Sequence, residues 1–158
     1  MSQPRHWLFK SEPNSYAIDD LERDGWTQWD GVRNYQARNL LRDEVRVGDL
    51  VLYYHSNAKP PGAVGVARVC KAAYADPTQF DEDSKSFDPK ATNEEPRWFV
   101  VDVEFVGRFD AVVPLADLKG DAALDGMLVT LRGQRLSVQP VDAKHFARVL
   151  EMAGYALG

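Results

Sequence analysis

Two apolar runs separated by a proline turn constrain this fold more than any other stretch of the chain. Leu50-Val-Leu-Tyr-Tyr-His55 follows the breaker Gly48-Asp49 and has the length of a strand rather than of a helix. Pro60-Pro61-Gly62 imposes a turn, and Ala63 to Tyr74 returns as a longer strand rich in valine and alanine. A further strand is predicted at His6–Lys10, broken by Pro13, and Trp26–Trp29 is a short aromatic element before the Asp30-Gly31 turn. Arg97–Val106, pairing with Phe109–Val113 across Gly107, and Leu136–Val141 complete the set. Helices are fewer. Ile18–Arg23 forms a short one stopped near Gly25, and from Asn34 onward Ala37, Leu40, Leu41 and Val45 share one helical face. Pro114–Leu118 starts a helical turn, and Asp142 caps a final helix with the stripe Phe146, Val149, Leu150 and Ala153, closed by Gly154. No βαβ alternation, internal repeat or Gly-rich phosphate loop occurs. The order predicts an α+β fold, a small, partly closed mixed β-barrel with peripheral helices, forming one domain over residues 1–158.

Composition narrows the function. The opening Trp-Leu-Phe run is too short for a signal-peptide core, and no apolar run reaches the roughly 18 residues of a membrane span. The expectation is a cytoplasmic protein in a bacterium, or a nucleo-cytoplasmic one in a eukaryote, with no membrane partner. Cys70 is the single cysteine, which excludes an internal disulfide and argues against a zinc site; its apolar setting predicts a buried strand thiol. His6, His55 and His145 have no metal-ligand spacing, so neither metal nor cofactor is expected. A net charge of −5 argues against a generic basic sleeve for nucleic acid. However, Ala75–Pro96 holds seven acids and two lysines, so the rest of the chain is neutral and a local basic face is possible. That acidic segment is long for a connection, a property of functional or mobile loops.

Aromatic residues gather beside polar groups at the ends of elements. Trp7 and Phe9 lie near Ser11-Glu12, Trp26 and Trp29 near Arg33-Asn34-Tyr35, and Tyr53-Tyr54 near His55-Ser56. Singly, most of these rings are expected in the core. Trp29 is the exception, because Gln28, Asp30 and the polar run Arg33-Asn34 surround it; it is expected to line a pocket. A nucleotide base would account for such a mixture, since stacking supplies about 1–3 kcal/mol and amides or hydroxyls read the base edge. Tyr53 and Tyr54 face opposite sides of their strand, so one is core while the other can face a cavity. Asn34 and Ser56 suit base reading, with helix capping as the equal alternative. Arg33, Lys59, Arg132 and Arg135 are the candidates for phosphate. No catalytic residue is assigned, because neighbours in an extended segment point apart and neither Lys10-Ser11-Glu12 nor His55-Ser56 needs to converge.

Three blocks carry a specific resemblance. Trp7-Leu-Phe-Lys-Ser-Glu-Pro13, Tyr16-x-Ile18-Asp-Asp-Leu21 and Trp29-x-Gly-Val-Arg-Asn-Tyr-Gln-Ala-Arg-Asn39 resemble the EVE domain, the thymocyte nuclear protein family. Gly48–Ser56 and Pro96–Val103 extend the match, so that it spans about residues 6 to 155. The resemblance implies a PUA-like fold similar to the YTH readers of methylated adenine in RNA and, more distantly, the SRA readers of methylated cytosine in DNA. It implies a modified base in DNA or RNA as partner, with cytosine derivatives in DNA favoured. The implied pocket comprises Lys10, Ser11, Glu12, Pro13, Trp29, Val32, Arg33, Asn34, Tyr54, His55 and Ser56, with Trp98, Leu131 and Arg132 as further contributors.

Magnitudes limit such a reader. One buried methyl contributes about 0.8 kcal/mol, roughly fourfold in affinity, whereas flipping a base from a duplex costs a few kcal/mol. Phosphate contacts must supply the remainder, which predicts weak, salt-sensitive binding. The alternative is a small amidohydrolase acting on a modified nucleoside, as in ASCH-type relatives, with Lys10, Ser11 and Glu12 as its lysine, hydroxyl and carboxylate. A protein-binding use of the acidic segment is a third reading.

Overall fold

Six strands and four helices organise the residues described by the computed structural model, 3–157. The strands are β1 (His6–Ser11), β2 (Trp26–Gln28), β3 (Leu50–His55), β4 (Gly62–Ala75), β5 (Phe99–Pro114) and β6 (Val138–Val141). The helices are α1 (Ile18–Asp24), α2 (Tyr35–Asp43), α3 (Leu115–Lys119) and α4 (Ala143–Ala153). The strands make one mixed sheet in the order β2-β5-β4-β3-β1-β6, with the expected β3–β4 pair at its centre. β1 and β3 are parallel and the other pairs antiparallel. The α+β class holds, but the sheet stays open: three-residue β2 and four-residue β6 are its two edges. No helix among the described residues is long and apolar enough to cross a membrane.

Both faces of the sheet are buried, which explains why its central strands read as continuous apolar runs. Trp7, Phe9, Val51 and Tyr53 face one core, closed by Ile18 and Leu21 of α1 and Ala37 and Leu41 of α2. Leu8, Leu52 and Tyr54 face the other, closed by Leu118 of α3 and Phe146, Val149 and Leu150 of α4. The Trp7 indole donates to the buried carboxylate of Asp49 at 2.8 Å, which also accepts from the backbone N–H of Arg5 and Arg46. Because parallel strands need a crossover, the chain between β1 and β3 carries α1, β2, α2 and the loop containing Trp29.

Two expectations are corrected. Gly107 is not a turn between paired strands, because β5 runs unbroken from Phe99 to Pro114. A Cβ at Gly107 would overlap the Tyr155 ring, so the glycine is there to let that ring close on the sheet. Cys70 is in a strand as expected, but exposed, since alternation along β4 buries Val69 and turns Cys70 outward. Burial and the nearby Glu104 and Asp102 charges push its thiol pKa up, the opposite of an activated nucleophile.

The acidic segment is anchored rather than a loose linker. Gln79 is fully buried; its amide donates to the carbonyls of Asp76 and Trp98 and accepts from the N–H groups of Arg97 and Trp98. Asp88 accepts from the Trp98 indole at 2.7 Å.

Candidate functional site

A cleft of about 660 Å³ opens where the end of β1, the turn after it, the end of β2 and the acidic segment meet. Of the residues singled out from the sequence, Lys10, Ser11, Trp29, Val32 and Arg33 line it. Around them stand residues that sequence reasoning did not assign to the site: Asn14, Ser15, Tyr16, Thr27, Gln28, Asp30, Gly31, Lys85, Ser86 and Ser137. Gln28 and Asp30 were visible as the polar neighbours of Trp29. Lys85 and Ser86 carry no local signal, since only the tertiary fold brings them there.

Trp29 belongs to both core and cleft. It is 8% exposed and packs on Phe9 at 5.3 Å, with Tyr53 edge-on at 5.5 Å. Its indole N–H has no acceptor among the described residues, yet no buried side-chain nitrogen or oxygen lacks a partner. That N–H is therefore not fully buried, and it belongs to a ring that lines the cleft. Nearby, Gln28 donates to the Tyr74 hydroxyl, and no described residue donates to its side-chain carbonyl oxygen.

Arg33 is fixed rather than available. Its guanidinium donates to the carbonyls of Ser86 and Val32, the Thr78 hydroxyl and the Asp76 carboxylate, filling all its N–H donors. The expectation that it reaches a phosphate is corrected accordingly. Asp76 is completely buried and also accepts from Gly31 N–H and from the N–H and hydroxyl of Thr78. Burial opposes its ionisation, but those donors outweigh burial and hold the carboxyl below its usual range. Asp76 and Arg33 thus clamp the Trp29 loop to the acidic segment. Trp98 reinforces the clamp instead of entering the cleft: it bonds Asp88, stacks on Tyr35 at 4.8 Å and lies under Arg33 at 5.3 Å.

The remaining expected residues disperse. Tyr54 is buried in the opposite core, on the other side of the sheet from Trp29. Lys10 reaches the Gln134 carbonyl at 3.4 Å, and burial lowers its pKa. Glu12 is exposed and bonds Asn57, and Pro13 sits in the turn beside it. Asn34 caps α2 by accepting from Ala37 N–H at 2.9 Å, so the capping alternative describes it. Ser56 extends the β1–β3 ladder through its backbone to Ser11. Lys59, Leu131, Arg132 and Arg135 are exposed, and the three cations form no ion pair among the described residues. Lys10, Ser11 and Glu12 do not converge as a catalytic set.

His55 does not line the cleft. Its Nε2 accepts from Ile18 N–H at 3.1 Å, closing the start of α1. Burial lowers its pKa below 6.5, against the pull of Asp19 and Asp20. The unfolded chain therefore takes up a proton that the folded imidazole resists; stability is full above 6.5 and falls as pH drops below it. His6, also lowered by burial, acts with the same sign. Thermal unfolding should show a falling midpoint from about pH 7 to about pH 5. His55→Ala should cost about 1–2 kcal/mol near neutrality and flatten that slope.

Comparison with known proteins adds a family to this geometry. The EVE domain family profile matches residues 5–152. Thymocyte nuclear protein 1 from Homo sapiens is 40% identical over 166 residues, which cover 93% of this chain and 73% of that protein. The crystal structure of human THYN1 protein in complex with 5-methylcytosine-containing DNA has a TM-score of 0.88 at 39% identity, covering 96% of this chain and 99% of that one. A YTH domain from Zygosaccharomyces rouxii has a TM-score of 0.56 at 16% identity, covering 100% of this chain and 91% of that one, a likeness of fold alone.

Proposed function

The chain belongs to the EVE domain family, and on that premise we propose that it binds nucleic acid by holding one modified base, turned out of its helix, in the cleft beside Trp29. A 5-methylcytosine-type base in DNA is the favoured ligand, since the human relative was crystallised with DNA containing that base. The observation that carries the reading is the Trp29 indole, part core and part cleft wall, with its N–H unengaged. The cleft volume of 660 Å³ falls within the range of about 300–1,000 Å³ usual for small-ligand sites. Ser11, Gln28, Asp30 and Ser137 supply polar groups around the ring. Binding is favoured over amidohydrolysis because Lys10, Ser11 and Glu12 point to different partners.

The test is equilibrium binding to short single strands that differ at one base. Cytosine and 5-methylcytosine should differ by about fourfold, the worth of one buried methyl. A preference for the unmodified base would overturn the reading. Affinity should come largely from phosphate contacts. Arg132 and Arg135 form no ion pair among the described residues and lie in the segment that reaches the cleft through Gln134 and Ser137. Replacing both with alanine should weaken binding to every sequence alike and reduce the salt slope on single strands by about 1.4.

A further inference from the structure

We infer that Asp30 selects the base by its hydrogen-bonding edge: its carboxyl group pairs with an exocyclic amine and the adjacent ring nitrogen, so the cleft takes amino bases and rejects keto bases, with uptake of one proton. This rests on reading the cleft as a base site.

Asp30 is the one acid among the described residues that line the cleft, and it directly follows Trp29. Apart from its own backbone N–H, no described residue donates to its carboxyl group. Two acids of the acidic segment, by contrast, are engaged: Asp76 by Gly31, Arg33 and Thr78, and Asp88 by Trp98. Asp30 is exposed, so its carboxyl, beside the aromatic wall of the cleft, is open to a ligand.

The charged and titratable groups around it set its protonation. Although Asp30 is an exposed residue, partial burial of its carboxyl and the Asp76 carboxylate push its pKa up; its own backbone N–H, Arg33 in its own loop and Lys85 from the acidic segment pull it back. Tyr16, from the turn after β1, and Lys10, at the end of β1, line the same cleft. Tyr16 is pushed up to about 12 by burial and its bond to Asp24, so it stays neutral.

The chemistry follows from donor and acceptor placement. A cytosine-type base presents an amine donor beside a ring-nitrogen acceptor. An ionised carboxylate accepts from the amine, but its second oxygen then faces the lone pair of the ring nitrogen. One proton from solvent, resting on the ring nitrogen opposite the ionised carboxylate, converts that clash into a second parallel hydrogen bond. Thymine, with the same 5-methyl group, donates to the carboxylate from its ring N–H but cannot take up that proton. It puts a carbonyl oxygen where the amine would be, so it makes one bond while oxygen faces oxygen.

The experiment compares single strands carrying either 5-methylcytosine or thymine at one position, titrated with wild type and Asp30→Asn. Wild type should favour 5-methylcytosine by about tenfold or more, the scale of one bidentate contact. That preference should grow as pH falls from about 7.5 to about 5.5, by at most about tenfold per pH unit for one proton. Asp30→Asn offers a donor and an acceptor at every pH and can turn over to match either base. Its pH dependence and its preference should both shrink, while the contributions of His6 and His55 remain in both proteins. Equal wild-type binding to the two strands, or a variant that keeps preference and pH dependence, overturns the role of Asp30 while leaving the cleft a base site. Wild type binding neither strand overturns the base-site reading and this inference with it.

Discussion

Trp29→Ala should abolish base binding and lower stability by about 3–5 kcal/mol, the usual cost of truncating a buried tryptophan. Both effects follow from the same ring. Its inner portion fills space against Phe9 and Tyr53, where alanine leaves a cavity. Its outer portion supplies the stacking face, about 1–3 kcal/mol per base, and the free N–H. Destabilisation could imitate a binding defect, so Trp29→Phe separates the two. Phenylalanine keeps an aromatic ring in the core but has no donor. It should fold with a midpoint near that of wild type in urea and still bind several-fold more weakly. A phenylalanine variant that binds as tightly as wild type would show that the indole N–H does not touch the ligand.

Asp76→Ala should be the most damaging change outside the two hydrophobic cores. Asp76 is wholly buried, whereas the Arg33 side chain is 24% exposed, so losing the acid leaves a mostly enclosed guanidinium without its counter-charge. The expected loss is about 3 kcal/mol, the low end for a broken buried pair because Arg33 retains some solvent. The site should suffer as well. Gly31, Arg33 and Thr78 all take their position from this carboxylate, so the loop bearing Trp29 and the segment bearing Ser86 would separate. Hydrogen exchange at Gly31 and Thr78 amides should rise sharply. Unchanged exchange at both would contradict the clamp.

The sheet and its helices were largely legible in sequence, because both depend on local periodicity. The α2 stripe of Ala37 and Leu41 with Val45 just past the helix end, the α4 stripe around Phe146 and the β3–β4 turn each signalled themselves within a few residues. What failed were features decided from a distance. Gly107 reads as a turn until Tyr155, far along the chain, is seen to close over it. The openness of the sheet depends on how short β2 and β6 are, and strand ends are poorly marked. The candidate site was half legible. Trp29 stood out because polar neighbours surrounded it, and Ser11, Val32 and Arg33 arrived with their motifs. Motifs do not give side-chain direction, however. Tyr54 faces away from Trp29, His55 and Asn34 are occupied at helix starts, and Trp98 secures the acidic segment. Lys85 and Ser86 were hidden because an acidic, irregular segment gives no hint of which wall it completes.

The central claim is that a base occupies the cleft, and removing the base tests it most directly. Two short single strands, identical except that one carries 5-methylcytosine where the other has an abasic sugar, keep the same phosphates and need no flipping. Their dissociation constants should differ by the free energy of one stacked base, about 1–3 kcal/mol, and the difference should vanish in Trp29→Ala. Equal affinity of the wild-type protein for the two strands would mean that it holds only the backbone, and the account given for the cleft would be wrong.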